Sequence, residues 1–164
     1  MREGKTKYKI YCDMDGVFTD FDHQFESLSG VDPSTYIEMY GKKRFWNLID
    51  TGGEEFWSEM SWTSGGRELW NFLEPYGPVL LSTPSMNPKS RTGKKKWVEL
   101  NLDPSPKLIL SHKKELHATP LSILIDDMDK NLIKWEQAGG IPIKCIKGKT
   151  GEVIKELVKL GINT

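Results

Sequence analysis

Cysteine is scarce: Cys12 and Cys145 are the only two in 164 residues, too few for a disulfide framework. Both sit in apolar runs that read as separate strands, so a reducing compartment is the expectation. Long apolar stretches are missing too. No run approaches the roughly 20 residues needed to cross a bilayer, and Met1 to Lys9 is charged, without the apolar core of a secretory signal. These absences predict a cytoplasmic protein with no membrane partner. Nor does charge of one sign dominate. Lys plus Arg and Asp plus Glu balance at 23 each, leaving no global positive field to hold a long polyanion such as duplex DNA. A small charged substrate fits better than an extended nucleic-acid surface. Internal repeats and low-complexity tracts are also lacking.

What is present describes a chain that folds. Hydrophobic residues make up 37% and charged residues 28%, a mixture too apolar for extended disorder. The length suits one domain over 1–164, with room for only a modest insertion. Tyr8 to Cys12 is β-prone and stops at Asp13-Met14-Asp15-Gly16, where carboxylates and glycine favour a loop. Apolar runs at Val79 to Leu81, Leu108 to Leu110, Ser122 to Ile125 and Ile141 to Ile146 alternate with segments of helical character. Those segments are Arg67 to Leu73 after Thr63 or Ser64, Lys94 to Leu102, Leu132 to Ala138 after Asp129, and Val153 to Leu160 after Thr150. The order predicts βα units. Between Asp20 and Trp62 aromatics and acids crowd together without a clear β run, and Asp32-Pro33 reads as a helix start. That stretch, 20–62, is expected to be a small helical cap inserted after the first strand.

Chemistry-bearing residues collect where these runs end. Asp13 and Asp15 are two apart, so in persisting strand geometry their side chains leave on one face and can converge on one phosphate. Alone, such a pair is as readily a solvated acidic turn. Asp126 and Asp127 follow another apolar run and, in a parallel sheet, end at the same edge. Four carboxylates in one cleft repel each other and need a hard divalent cation and a cationic side chain to stay ionised; Mg²⁺ is the natural candidate. Ser82 and Thr83 end a third run with hydroxyls able to bind phosphoryl oxygen. Lys113 and Lys114 follow a fourth, where an ammonium could offset nucleophile and phosphate charge, although either alone reads more readily as a solvated surface lysine. The Lys94-Lys95-Lys96 run reads as the exposed face of a helix that buries Trp97 and Leu100.

Taken in order, Asp13-Met14-Asp15-Gly16-Val17, Ser82, a lysine near 114 and Ile125-Asp126-Asp127 resemble the four motifs of haloacid dehalogenase-like phosphatases. The likeness spans roughly residues 8 to 146. It implies an α/β, Rossmann-like parallel sheet of about five strands flanked by helices, with the first strand central, the acids at its C-terminal edge and the cap over that edge. More narrowly, Asp13 to Asp22, Phe56-Trp57, Leu80 to Pro84, Lys96 to Glu99 and Leu124 to Asp127 resemble the 5'(3')-deoxyribonucleotidases. The lysine segment departs from that pattern with its Lys113-Lys114 pair and longer spacer to Asp126, and the cap is short and divergent.

By this resemblance Asp13 attacks phosphorus to form an aspartyl phosphate, and Asp15, initially protonated, protonates the leaving oxygen and then takes a proton from water. Mg²⁺ is held by Asp13, the Asp15 carbonyl and one or both of Asp126 and Asp127, while Ser82 and Lys114 bind phosphoryl oxygens. The expected substrate is a (deoxy)nucleoside monophosphate. Phe18, Phe45, Trp46, Phe56, Trp57 and Trp62 offer flat surface for a base, with Phe56, Trp57 and Trp62 the leading candidates; the alternative is that such rings fill the cap's own core. Action on a sugar phosphate or a nucleic-acid end is the competing enzymatic reading. A non-catalytic phosphate-binding module would not need Asp15.

Overall fold

The computed structural model of the chain describes residues 4–163; the first three residues of the charged start lie outside them. The chain divides into two compact units. The first comprises residues up to Thr19, Trp62–Thr83 and Pro106 onward, and the second Asp20–Ser61 with Pro84–Ser105.

In the first unit, five strands form one parallel sheet: β1 (Lys9–Cys12), β2 (Val79–Ser82), β3 (Leu108–Leu110), β4 (Ser122–Asp126) and β5 (Ile141–Lys144), in the order β3-β2-β1-β4-β5. The first strand is therefore central, with Cys12 opposite Leu80 on one side and Ile125 on the other. Buried strands in such a sheet read as continuous apolar runs because helices cover both faces. One face gathers Tyr11, Val79, Leu81 and Leu124 against Leu132 and Trp135 of helix α6 (Asp129–Gln137). Trp135 is locked there by donating from Nε1 to the Ser122 carbonyl at 3.1 Å. Helices α4 (Gly66–Leu73) and α7 (Thr150–Lys159) pack on each other and bury Leu69, Leu73, Val153 and Leu157. The apolar run expected to extend to Ile146 stops pairing at Lys144, opposite Asp126. Cys12 and Cys145 are both buried free thiols.

Four helices build the second unit: α1 (Phe21–Ser29), α2 (Pro33–Thr51), α3 (Gly53–Ser58) and α5 (Pro88–Asn101). Asp32 caps α2 by accepting from the Thr35 amide at 3.2 Å, with Pro33 in the first turn as its preset φ favours. Gly41, at φ 86° and ψ 164°, breaks this helix between Tyr40 and Lys42. The unit's core is aromatic: Phe25, Phe45, Phe56, Trp57 and Trp97 are buried.

Helix α5 corrects the expected phase of the lysine run. Its buried positions are Ser90, Gly93, Lys94, Trp97 and Val98, whereas Leu100 is 70% exposed. Lys94 is 1% exposed, with its ammonium 5.0 Å from the centre of the Trp57 ring, an arrangement in which the aliphatic stem packs and the charge meets the ring's negative face. The physical reason is Gly93: a Cβ there would lie 2.5 Å from Trp57 Cβ and 2.7 Å from the Glu54 carbonyl oxygen. Only a glycine lets α5 approach α3 this closely, and that approach turns Lys94 inward. Trp97 completes the contact by donating from Nε1 to the Met60 carbonyl at 2.8 Å.

Gly93→Ala should therefore destabilise the protein by about 1–3 kcal/mol through overpacking. Gly151, in α7 with nothing within 4 Å of a built Cβ, should tolerate alanine and gain up to about 1 kcal/mol from restricted unfolded-state freedom. Thermal melts of the two variants should move in opposite directions; equal melting temperatures would contradict the close α3–α5 packing.

Candidate active site

The C-terminal ends of β1, β2 and β4 bring the acidic and hydroxyl groups of the first unit together. Asp13 follows β1 directly, and its amide still donates to the Ile125 carbonyl at 2.9 Å, so the residue holds strand geometry one position past the strand. The chain then turns sharply. The amides of Val17, Phe18 and Thr19 all point at the Met14 carbonyl, at 3.1, 2.8 and 3.0 Å, and the Gly16 amide donates to Thr19 O at 2.9 Å. Gly16 sits at φ 84°, and a Cβ on it would fall 2.1 Å from Asp127 Oδ2. Both the backbone angle and the acid pressed into the notch require glycine.

Asp126 ends β4, fully buried, and its carboxylate is saturated by donors. Oδ1 accepts from the Met128 amide at 3.0 Å, and Oδ2 from Lys114 Nζ at 2.8 Å and Asn131 Nδ2 at 3.1 Å. Lys114 starts a 3₁₀ turn (Lys114–His117) after β3, and its ammonium also lies 3.1 Å from Asp13 Oδ1. Burial alone would lower the Lys114 pKa, but the charges of Asp13 and Asp126 outweigh it and raise the pKa above the ordinary lysine value. The side chain is thus a fixed cation between two acids. Lys113 is exposed and engages only through its backbone, whose amide donates to Ser111 Oγ at 3.0 Å.

Oxygens of Asp13, Asp126 and Asp127 lie within 4.8 Å of one another. Three carboxylates meet one ammonium, leaving an excess of negative charge. Ligand oxygens on one Mg²⁺, at about 2.1 Å, sit within about 4.2 Å of each other, so small side-chain adjustments suffice. A second observation points the same way: Asp127 Oδ1 is buried without a hydrogen-bond partner, a costly state for a polar atom unless something binds it. The donor set, all oxygen and mostly anionic, fits a hard divalent cation. Asp126, already saturated, is better suited to orient Lys114, and Asp127 to meet the ion.

Ser82, at the end of β2, is buried, and its Oγ likewise has no partner. Asp15 is half-buried and accepts from Thr19 Oγ1 at 2.7 Å. Thr83 is exposed one residue beyond Ser82. The aromatic candidates separate. Phe18 is fully buried edge-on to Trp70 and Trp62, with centroids 5.7 and 6.4 Å away. Trp62 is half-buried with the Arg67 guanidinium 5.2 Å from its ring centre. Phe56 and Trp57 are buried in the second unit, where Tyr40 and Trp46 are exposed, at 46% and 41%. Two polar residues of the site escaped sequence reasoning, Thr19 and Asn131. The signals available were Thr19's place four after Asp15 and Asn131's in the first turn of the helix that follows Asp126-Asp127.

Comparison with solved structures shows where this fold recurs. A HAD-superfamily hydrolase from Ehrlichia chaffeensis aligns over 99% of this chain and 100% of its own, with a TM-score of 0.56 and 15% identity. A HAD family hydrolase from Deinococcus radiodurans, solved with bound phosphate and sodium, aligns over 95% and 97% at a TM-score of 0.59 and 11% identity. The fold is that of the haloacid dehalogenase-like hydrolases. A HAD family enzyme from Bacteroides thetaiotaomicron, solved as a magnesium complex, covers 92% of this chain and 99% of its own at a TM-score of 0.56 and 13% identity. No protein-family model and no curated protein matches the sequence. The haloacid dehalogenase-like sheet carries its acids at the C-terminal ends of the central β1 and its neighbour β4, with Ser82 ending β2 on the other side. No helix among the described residues is long and apolar enough to cross a membrane.

The acid cluster sets a pH dependence. Burial first, then the charges of Asp13 and Asp126, push the Asp127 carboxyl up to about 9 in the metal-free protein. Because this pKa exceeds the unfolded value, its contribution to stability is full at low pH and is lost as pH rises through about 9. A cation binding Asp127 must expel that proton, so Mg²⁺ affinity should rise up to tenfold per pH unit between 6 and 8. Calorimetric titrations in buffers of different ionisation enthalpy would read the released proton directly. Affinity independent of pH, with no proton release, would contradict the assignment of Asp127 to the ion.

Proposed function

We propose that the chain is a phosphomonoesterase in which Asp13 accepts the phosphoryl group and the acid cluster holds Mg²⁺. What supports this reading most is the pairing of a buried ammonium with two buried, partnerless oxygens, Ser82 Oγ and Asp127 Oδ1. Together they offer a donor and a cation for phosphoryl oxygens and a ligand for a metal. The neighbours with bound phosphate and with magnesium carry ligands of the same classes.

In this reading Asp13 Oδ2 attacks phosphorus while Oδ1 stays against Lys114, which fixes the carboxylate and limits its repulsion from the incoming dianion. The P–O bond to the alcohol breaks, and the proton carried by Asp15 goes to the departing oxygen. Asp15, now a carboxylate, takes a proton from water as that water attacks the aspartyl phosphate, which regenerates Asp13 and releases phosphate. Ser82 donates to a phosphoryl oxygen throughout. Mg²⁺, when bound by Asp13, Asp127 and the Asp15 carbonyl, supplies positive charge that offsets the carboxylates and the phosphoryl group. Asp126 acts by holding Lys114.

The substrate class we propose is a (deoxy)nucleoside monophosphate. Support comes from the nucleotidase-like sequence stretches and from the half-buried Trp62 ring of the first unit. Phe56 and Trp57, being buried, fill the core of the second unit. Phosphate release across nucleoside monophosphates, sugar phosphates and 5'- or 3'-phosphorylated oligonucleotides tests the class. Preference for sugar phosphates or oligonucleotide ends would transfer the assignment to those substrates.

Three substitutions test the chemistry. Asp13→Asn should abolish turnover, since the amide is nearly the same size but a poor nucleophile. Lys114→Met should cost about 10²–10³ in kcat/KM, in the range of losing a charge-stabilising donor, whereas Lys113→Met should stay within about twofold. Melting curves separate this from unfolding, because Lys114→Met also leaves buried acids unpaired. Equal effects at 113 and 114 would contradict the role given to Lys114. For the rings, Trp57→Ala should lose about 3–5 kcal/mol of stability as a core truncation. Trp62→Ala should spare stability and lose about 1–3 kcal/mol on nucleotides alone. If Trp62→Ala does not discriminate a nucleotide from a small phosphate ester, the proposed base contact is wrong.

A further inference from the structure

Asp15 has to deliver a proton along one direction, yet an aspartate's own torsions do not set it, because rotation of the carboxyl plane about its last bond meets only broad, shallow wells. Something outside the residue must fix that plane. Thr19 is placed to do so: its Oγ1 donates to Asp15 Oδ1 at 2.7 Å, and the residue is 1% exposed. The backbone that carries the hydroxyl is held at several points. The Thr19 amide donates to Met14 O at 3.0 Å, its carbonyl accepts from the Gly16 amide at 2.9 Å, and its backbone bridges both Asp15 and Trp62. On the neighbouring residue, Phe18 O accepts from the Thr63 amide at 2.8 Å, and Thr63 Oγ1 donates to Val17 O at 2.7 Å. A β-branched side chain on so constrained a backbone has little freedom at χ1.

We propose that Thr19 is a positioning residue that assigns the two oxygens of Asp15 their roles, an inference that rests on the phosphomonoesterase reading above. With Oδ1 occupied as an acceptor of the Thr19 hydroxyl, a proton on Oδ1 would compete with that donor. The transferable proton therefore resides on Oδ2, whose direction is set by the fixed carboxyl plane. In the first chemical step this Oδ2–H bond breaks and the proton joins the alkoxide oxygen as the P–O bond breaks. In the second, Oδ2 regains a proton from the attacking water. Thr19 exchanges no proton and touches no substrate; it keeps Oδ2 aimed.

The leaving group distinguishes aiming from mere support of the loop. An alkyl phosphate expels a strongly basic alkoxide and depends on the proton, whereas p-nitrophenyl phosphate expels an anion stable at neutral pH and does not. The quantity to compare is kcat/KM, which covers transfer to Asp13 and departure of the alcohol but not the later hydrolysis common to both esters. Thr19→Val keeps nearly the same shape and removes the hydroxyl, and Thr19→Ser retains it. The result expected is a roughly 10- to 100-fold loss for Thr19→Val on the alkyl ester, part of the 10²–10⁴ that a general acid supplies. On p-nitrophenyl phosphate the loss should stay within about threefold, and Thr19→Ser should stay near wild type on both. Equal losses of Thr19→Val on both esters, or none on either, would overturn the proposal while leaving the phosphatase reading intact. Should Thr19→Val fail to fold, Thr19→Cys, similar in size with only a weak S–H donor, is read by the same ratio. A wild-type protein that releases phosphate from neither ester would overturn both the reading and the inference.

Discussion

An ammonium held between two acids organises the C-terminal end of the sheet. Lys114 Nζ lies 2.8 Å from Asp126 and 3.1 Å from Asp13, and so joins the end of β4 to the end of β1 through a side chain that arrives from beyond β3. Removing charges from water costs several kcal/mol per ion, recovered only where geometry and hydrogen bonding are good. Here the Met128 amide and Asn131 complete the shell of Asp126. The remaining acid, Asp127, has no comparable shell. Its Oδ1 is buried without a partner, and burial beside Asp13 and Asp126 favours its protonated form, so a cation bound here would satisfy the oxygen as it displaces the proton.

Parallel topology makes this concentration possible. With β1 central and every strand running the same way, residues far apart in sequence meet at one edge once their strands end in register. Cys12 opposite Ile125 and Leu80 puts Asp13, Asp126 and Ser82 each at or just beyond a neighbouring strand end. The edge is a place for ligands because the peptide ladder stops there and side chains take over. Gly16 then allows Asp127 to come close to the turn that carries Asp15, a proximity that any side chain at position 16 would prevent.

Much of this was legible in the residues. Continuous apolar runs located all five strands, because parallel strands covered by helices write themselves as unbroken hydrophobic segments; β3 falls on Leu108–Leu110 as expected, although at the sheet's edge it is only half-buried. Short polar positions were harder. Lys113 and Lys114 could not be separated by type, since a loop after a strand sets no side-chain direction; the 3₁₀ turn beginning at Lys114 does. Thr19 and Asn131 are single common residues whose roles come from partners rather than from composition. Helix α5 misleads for a different reason. Its buried face uses Ser90, Gly93 and Lys94, so a pattern read from apolar residues points Leu100 inward, although contact with Trp57 depends on the smallness of Gly93 and the long stem of Lys94. The aromatic cluster between Asp20 and Trp62 shows the same limit: ring content does not reveal that Phe56 and Trp57 are buried while Trp46 is exposed.

The claim on which the account turns is that phosphate passes through Asp13, and the direct test is to catch it there. Protein mixed with Mg²⁺ and a reactive phosphate ester, quenched in acid within one turnover and analysed by peptide mass, should carry one phosphoryl group on the peptide containing Asp13. The label should be absent after chelation of the metal and absent in Asp13→Asn. Phosphate released at full rate with no phosphoryl group at Asp13, or with the group on another residue, would contradict the account.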